Sequence, residues 1–170
     1  MNKHQLASTI WESANQMRSK IEANEYKDFI LGFIFYKYLS ERELELFRKE
    51  KLSEAEIKKV NEKDVMYAKH VRETLGYFIS YDNLFSTWLS MGNDFDIKNV
   101  RDALSDFDQN IDDVYKKVFE KIFHTLQTGL SKLGETSGSQ TKAVKKLLKL
   151  IKKIPMDGKQ DYDVLGFIYE

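Results

Sequence analysis

This chain of 170 residues holds one proline, Pro155, and eight glycines. A sheet of many short strands needs many turns, and turns are built largely from these two residue types. Their scarcity favours long helices, because proline is what most often stops them. The expected fold is therefore mostly α: an irregular multi-helix bundle of about six to eight helices, with little or no sheet.

Hydrophobic spacing supports this. Residues 4–21 place Leu6, Ile10, Ala14, Met17 and Ile21 on one helical face. Over residues 26–47, Phe29, Ile30, Phe33 and Ile34 form one stripe, and Leu31, Phe35, Tyr38 and Leu39 nearly close the ring. A helix apolar on most sides belongs in an interior. Its greasiest part, residues 29–39, is about half the ~20 residues a membrane span needs and contains Lys37. The segment 51–63 carries a capping box, Ser53 with Glu56, and reads as a short peripheral helix. Residues 75–96 are aromatic and interrupted by Gly76 and Gly92. They predict an irregular connection around Tyr77–Ser80, then a short helix near 83–90. Asp96 can cap a helix carrying Ile97, Val100, Leu104 and Phe107. Val114, Val118, Ile122 and Leu126 recur every four residues and predict a helix over 111–130. A polar loop is expected over 129–140, then an amphipathic helix over 141–154 with Val144, Leu147, Leu148, Ile151 and Ile154 on one side.

Several chemistries are excluded. There is no cysteine, hence no disulfide, thiol catalysis or Cys-ligated zinc. Asp106, Asp108 and Asn110 match the opening of a calcium loop. Position six is then Ile111 where glycine is required, and position twelve is Lys117 where a bidentate Glu is required. The segment reads as an acidic helix junction. His4, His70 and His124 are scattered, and no phosphate-loop, dinucleotide or nucleophile-elbow motif occurs. No catalytic, cofactor-binding or metal-ligating residue is assigned.

The strongest polar feature is Lys142, Lys145, Lys146, Lys149, Lys152 and Lys153, six lysines with no acid among them. The whole chain is formally neutral, which leaves twenty-one bases against twenty-seven acids, a net −6, on the remainder. Such a face can neutralise phosphates in a salt-dependent way. It is equally what the solvated side of an amphipathic helix looks like.

A longer pattern stands at the two ends. Near the start come Ile10-Trp11, Met17-Arg18, Tyr26-Lys27-Asp28 with Ile30-Leu31, then Phe35, Lys37, Leu39 and Ser40. At the far end stand Asp163, Leu165, Gly166, Tyr169 and Glu170. This resembles the N-terminal helical domain of the modification subunit of type I restriction–modification systems, with looser likeness between the ends. The resemblance implies a helical domain over 1–158 and, over 159–170, the start of the linker or helix leading into a methyltransferase domain absent from this chain. It implies a parent subunit that is an adenine-specific DNA methyltransferase using S-adenosylmethionine. The family's Asn-Pro-Pro-aromatic motif cannot occur in a chain with one proline, so no catalytic residue carries over and the chain alone is not expected to catalyse.

The implied partners are a specificity subunit, a second modification subunit, a restriction subunit and double-stranded DNA, in the cytoplasm and away from membranes. Two roles follow. In one, the domain helps subunits assemble and clamp around DNA, with the six lysines on the phosphate backbone. In the other, it is a protein–protein assembly module without DNA contact, burying an aromatic patch around Tyr77–Trp88 against another subunit.

Overall fold

The computed structural model describes the backbone of residues 23–153, together with Gln5 and Ser8, both helical. The rest of the helix expected over 4–21, and the segment 159–170, lie outside the described residues. Within them the chain is mostly α. Its helices are α1 (Ala23–Lys49), α2 (Glu54–Lys58), α3 (Val65–Leu75), α4 (Phe85–Ser90), α5 (Ile97–Gln109), α6 (Lys116–Leu130) and α7 (Ser137–Lys152). Single 3-10 turns stand at Tyr81–Asn83, Gly92–Asp94 and Asp113–Tyr115. The one β pairing among the described residues is an isolated antiparallel bridge between Tyr77 and Ile111.

The chain divides into two compact units, and α1 and α6 each contribute to both. One unit holds residues 39–121. Its core contains Phe47, Val71, Phe78, Leu84, Phe85, Trp88, Val100 and Leu104, all buried. Three further rings meet in it: Tyr77 lies tilted against Phe107 at 5.6 Å between centroids, and Phe119 stands edge-on to both, at 5.6 Å from Phe107 and 6.0 Å from Tyr77. Side chains of this size stabilise by roughly 1.5–3 kcal/mol each when buried, with an added ~0.5–1.5 kcal/mol for well-oriented ring pairs. Apart from Tyr81, which is half-buried, the aromatic residues around Tyr77–Trp88 are thus consumed inside the unit. Tyr77, Phe78, Ile79, Leu84, Phe85 and Trp88 are each at most 2% exposed. This corrects the expectation that they form a patch for another subunit: their period matches no helix face because they line an irregular crossing of the interior.

That crossing is fastened to one turn of α1. The Tyr77 hydroxyl donates to the Leu39 carbonyl at 2.8 Å, the Ile79 amide to Glu43 Oε1 at 2.8 Å, and the Phe85 amide to Ser40 Oγ at 3.2 Å. Gly76 turns the chain out of α3 with φ 93°, a left-handed cap suited to glycine. A Cβ there would also strike the Tyr115 ring at 2.7 Å.

The other unit takes the chain up to residue 38 and from 122 onward. Phe29, Ile30, Phe33, Ile34 and Tyr36 of α1 are fully buried, as are Leu126 and Leu130 of α6 and Val144 of α7. Phe123 sits edge-on to Tyr36 at 5.9 Å. Gly129 lets α6 pass close to α1, because a Cβ at that position would overlap the Phe29 ring.

The capping signals hold. Ser53 and Glu56 form the reciprocal box, at 3.1 and 2.9 Å, that starts α2. The Ser53 amide, and after it the Ser53 hydroxyl, hold the Glu56 carboxyl below its usual range. Asp96 and Asn99 do the same for α5. Two boundaries and one unassigned helix differ from the sequence reading. Helix α6 begins at Lys116, after the bridge at Ile111 and a 3-10 turn, and Val114 is exposed instead of joining the stripe. The loop read over 129–140 shrinks to residues 131–136, because Thr136 caps α7 through the Ser139 amide at 3.1 Å and starts it early. Helix α3, which the sequence reading left unassigned, is bracketed by Asp64 accepting from the Tyr67 amide and by Gly76.

Candidate nucleic-acid interface

Helix α7 is apolar on one side and basic on the other. At about 100° per residue, Gln140, Val144, Leu147, Leu148 and Ile151 fall within an arc of roughly 100°, and all five are buried. Lys142, Lys145, Lys146, Lys149, Lys152 and Lys153 fall within an opposite arc of roughly 120° and span about 16 Å of helix axis. Lys142, Lys146, Lys149, Lys152 and Lys153 are exposed and Lys145 is half-buried. None of the six makes an ion pair with an acid among the described residues. Lys149 and Lys152 lie in the last turn, where cations complement the helix dipole. The structure therefore brings together all six lysines read from the sequence. What it yields chemically is a row of point charges on flexible stems, suited to phosphate oxygens or carboxylates and not to reading base edges.

The end of this helix is held by a residue that sequence reading treated only as an argument against a membrane span. Lys37 of α1 is 7% exposed, and its ammonium donates to the carbonyls of Ile151 and Lys152, each at 3.2 Å. The last carbonyls of a helix have no intrahelical partner, and a buried ammonium needs acceptors; each solves the other's problem. The signal was present in the sequence: a lysine inside an otherwise ring-wide apolar stretch has to be paired.

The remaining polar clusters are structural. Asp106 Oδ2 accepts from Asn83 at 3.0 Å. Asn110 ends α5 and joins Arg72, Glu62 and the Asp106 carbonyl at 3.1, 3.2 and 2.8 Å. These bonds occupy two of the three side chains that imitate a calcium loop. Among the described residues, no three His, Asp or Glu side chains gather as metal ligands would. His70 meets Glu50 at 2.6 Å, and Tyr67 donates to the same carboxylate at 2.9 Å. Burial pushes the Glu50 carboxyl up, but the bonds from His70 and Tyr67 outweigh it and hold the group below its usual range. Burial and the Glu50 carboxylate both push the Tyr67 phenol up. Glu120 and His124 are both exposed on α6. No helix among the described residues is long and apolar enough to cross a membrane.

Comparison with known proteins gives one consistent answer. The family model described as the HsdM N-terminal domain matches residues 6–154. The chain is 27% identical over 177 residues to the type I restriction enzyme MpnII methylase subunit of Mycoplasma pneumoniae, covering 95% of this chain and 33% of that protein. It is similar to the crystal structure of the type I restriction–modification system methyltransferase subunit from Streptococcus thermophilus, with a TM-score of 0.70 and 26% identity, covering 99% of this chain and 38% of that one. The chain thus spans about a third of the length of the relatives it matches. It belongs to the HsdM N-terminal domain family.

Proposed function

We propose that this domain helps assemble a type I DNA adenine methyltransferase and clamps it around duplex DNA, with the lysine row of α7 lying along the phosphate backbone. The observation that supports this reading most is the row itself: six cations in one arc, without an acid among them, while the opposite arc of the same helix is buried. The target sequence would be read by a separate specificity subunit, and the restriction subunit and a second modification subunit would complete the assembly in the cytoplasm. Methyl transfer in the whole subunit would draw on S-adenosylmethionine, with the target adenine turned out of the helix. This chain has one proline and so no Asn-Pro-Pro segment, and none of its residues is given a step in that transfer.

Binding through phosphates alone is weak, insensitive to sequence and steeply salt-dependent. If all six lysines engage, log K should fall with log salt at a slope of about −5. A fluorescence-anisotropy titration of the chain against two unrelated duplexes checks this. Equal affinities, a slope of that size, and loss of binding in a Lys145→Glu, Lys146→Glu, Lys149→Glu triple variant are the expected results. No binding at low salt, or an unchanged affinity in the triple variant, overturns the DNA contact.

A second reading, assembly without DNA contact, is favoured by apolar side chains left outside: Met66 is 85% exposed, Val114 79%, Val65 67% and Tyr115 45%. Sedimentation with a purified specificity subunit separates the two. Co-sedimentation that Met66→Ser and Val114→Ser abolish, from a chain that ignores DNA, selects this reading.

A further inference from the structure

Glu43 is fully buried on α1, in the unit formed by residues 39–121. One carboxyl oxygen accepts from the Ile79 amide at 2.8 Å. The other, Oε2, is buried without a hydrogen-bond partner among the described residues. It is the middle fastening of the crossing segment: Leu39 and Ser40, within the preceding turn of α1, take the Tyr77 hydroxyl and the Phe85 amide. Of the three, only Glu43 can change charge on the acceptor side.

No described group compensates a charge there. Helix α3 presents the Tyr67 phenol, which carries no positive charge and donates to Glu50. The other ionisable groups of α3 are engaged elsewhere: Arg72 with Asn110, Lys69 with Glu73, and His70 with Glu50. The crossing segment presents Tyr77, which donates to a backbone carbonyl. Further along α1 stands Glu50, an acid bound to His70 and Tyr67. A carboxylate at this position would have lost its hydration and gained one amide bond; a carboxylic acid loses far less. In keeping with that geometry, burial pushes the Glu43 carboxyl well above the usual carboxylate range, with the Ile79 bond acting in the opposite sense.

We infer that Glu43 is carried as a neutral acid in the folded protein and acts as a pH-sensitive latch, whose ionisation releases the Tyr77–Phe85 crossing from α1. The direction follows from linkage. Below the ordinary range of a glutamate, folded and unfolded chains are both protonated at this position and the latch costs nothing. As pH rises above that range, the unfolded chain gives up the proton and the folded chain keeps it, so stability falls. Each pH unit lowers the folding equilibrium by up to tenfold until Glu43 ionises in the folded state.

Urea unfolding of the full chain from pH 5 to pH 9, beside Glu43→Gln, tests this. The glutamine keeps the acceptor for Ile79 and cannot ionise, so its folding equilibrium should gain on the wild type by up to tenfold per pH unit over part of that range. A constant difference between the two proteins across the range overturns the proposal. Should the glutamine variant fail to fold, carbon-13 NMR of the wild-type glutamate carboxyls gives an independent answer. One carboxyl that stays protonated at pH 6 supports the inference, and full ionisation of every glutamate by pH 6 overturns it. The release of the crossing is read from amide exchange. Exchange at Ile79 and Phe85 should rise with pH more steeply than at Val144 in α7, and equal slopes at the three amides overturn the latch.

Discussion

Helices α1 and α7 both carry lysine in an apolar context, and they treat it in opposite ways. On α7 the apolar residues keep to one arc, so every lysine has an outward direction available and five of six are exposed. On α1 the apolar residues run most of the way round, and polar side chains within that stretch have nowhere to go. Lys37 is buried there, and Ser40 and Glu43 are buried on the inner side of the next turn, whose Arg42 and Glu45 are exposed. Each of the three is bonded to backbone: Lys37 to the end of α7, Ser40 to Phe85 and Glu43 to Ile79. The difference shows that the width of the apolar arc, more than residue type, decides whether a charge is available to a ligand or committed to the fold. A narrow arc leaves charges free for binding. A wide one turns them into fastenings.

The comparison breaks most visibly if a charge is placed on α1 with no partner. Phe33 is fully buried and stands edge-on to Phe29 at 5.3 Å. Truncating such a ring costs about 3–5 kcal/mol, and an unpaired carboxylate in its place adds several more. A domain of this size has about 5–15 kcal/mol in total. Phe33→Asp should therefore leave a chain without a cooperative thermal transition and with the circular dichroism of an unfolded protein. A folded Phe33→Asp variant would mean that α1 is not the interior helix its sequence describes.

A milder change separates the role of Lys37 from its bulk. Lys37→Met keeps the apolar stem and removes the donors, which leaves the Ile151 and Lys152 carbonyls without that partner. An unmet buried acceptor costs about 1–3 kcal/mol, offset in part because an ammonium no longer has to be desolvated. A net loss of about 2 kcal/mol in urea unfolding is expected, with faster amide exchange confined to the last turn of α7. A loss spread evenly over α7 would assign Lys37 a packing role instead of a capping one.

Legibility in the sequence follows the same division. The elements with clean periodicity or side-chain caps were readable: α1, α2 through Ser53, α5 through Asp96, and the two opposed arcs of α7. The starts of α6 and α7 were not. Val114 continues a four-residue spacing by coincidence, and the run Ser137-Gly138-Ser139 has the composition of a loop although Thr136 caps it into a helix. Propensity is a weak prior that one good cap and a buried face can override. The docking patch that one of the two roles places on Tyr77–Trp88 fails for a further reason. An irregular segment through a core obeys no period, so its burial shows only in its bonds to α1 and its ring contact with Phe107 of α5. The lysine row was legible as a row.

The smallest expected effect lies on that row. Lys149 is exposed, makes no ion pair among the described residues, and interacts with the fold mainly through the dipole at the end of α7. Replacing it with alanine removes about 0.3–0.5 kcal/mol of dipole interaction and returns a similar amount, because alanine is the better helix former. Lys149→Ala should thus unfold within about 0.5 kcal/mol of the wild type, against the ~2 kcal/mol expected for Lys37→Met. In the DNA titration it should reduce the salt slope by about one unit. A stability loss near that of Lys37→Met would show that Lys149 is committed to the fold, and the sorting of charges by arc width would then fail on the helix where it looks clearest.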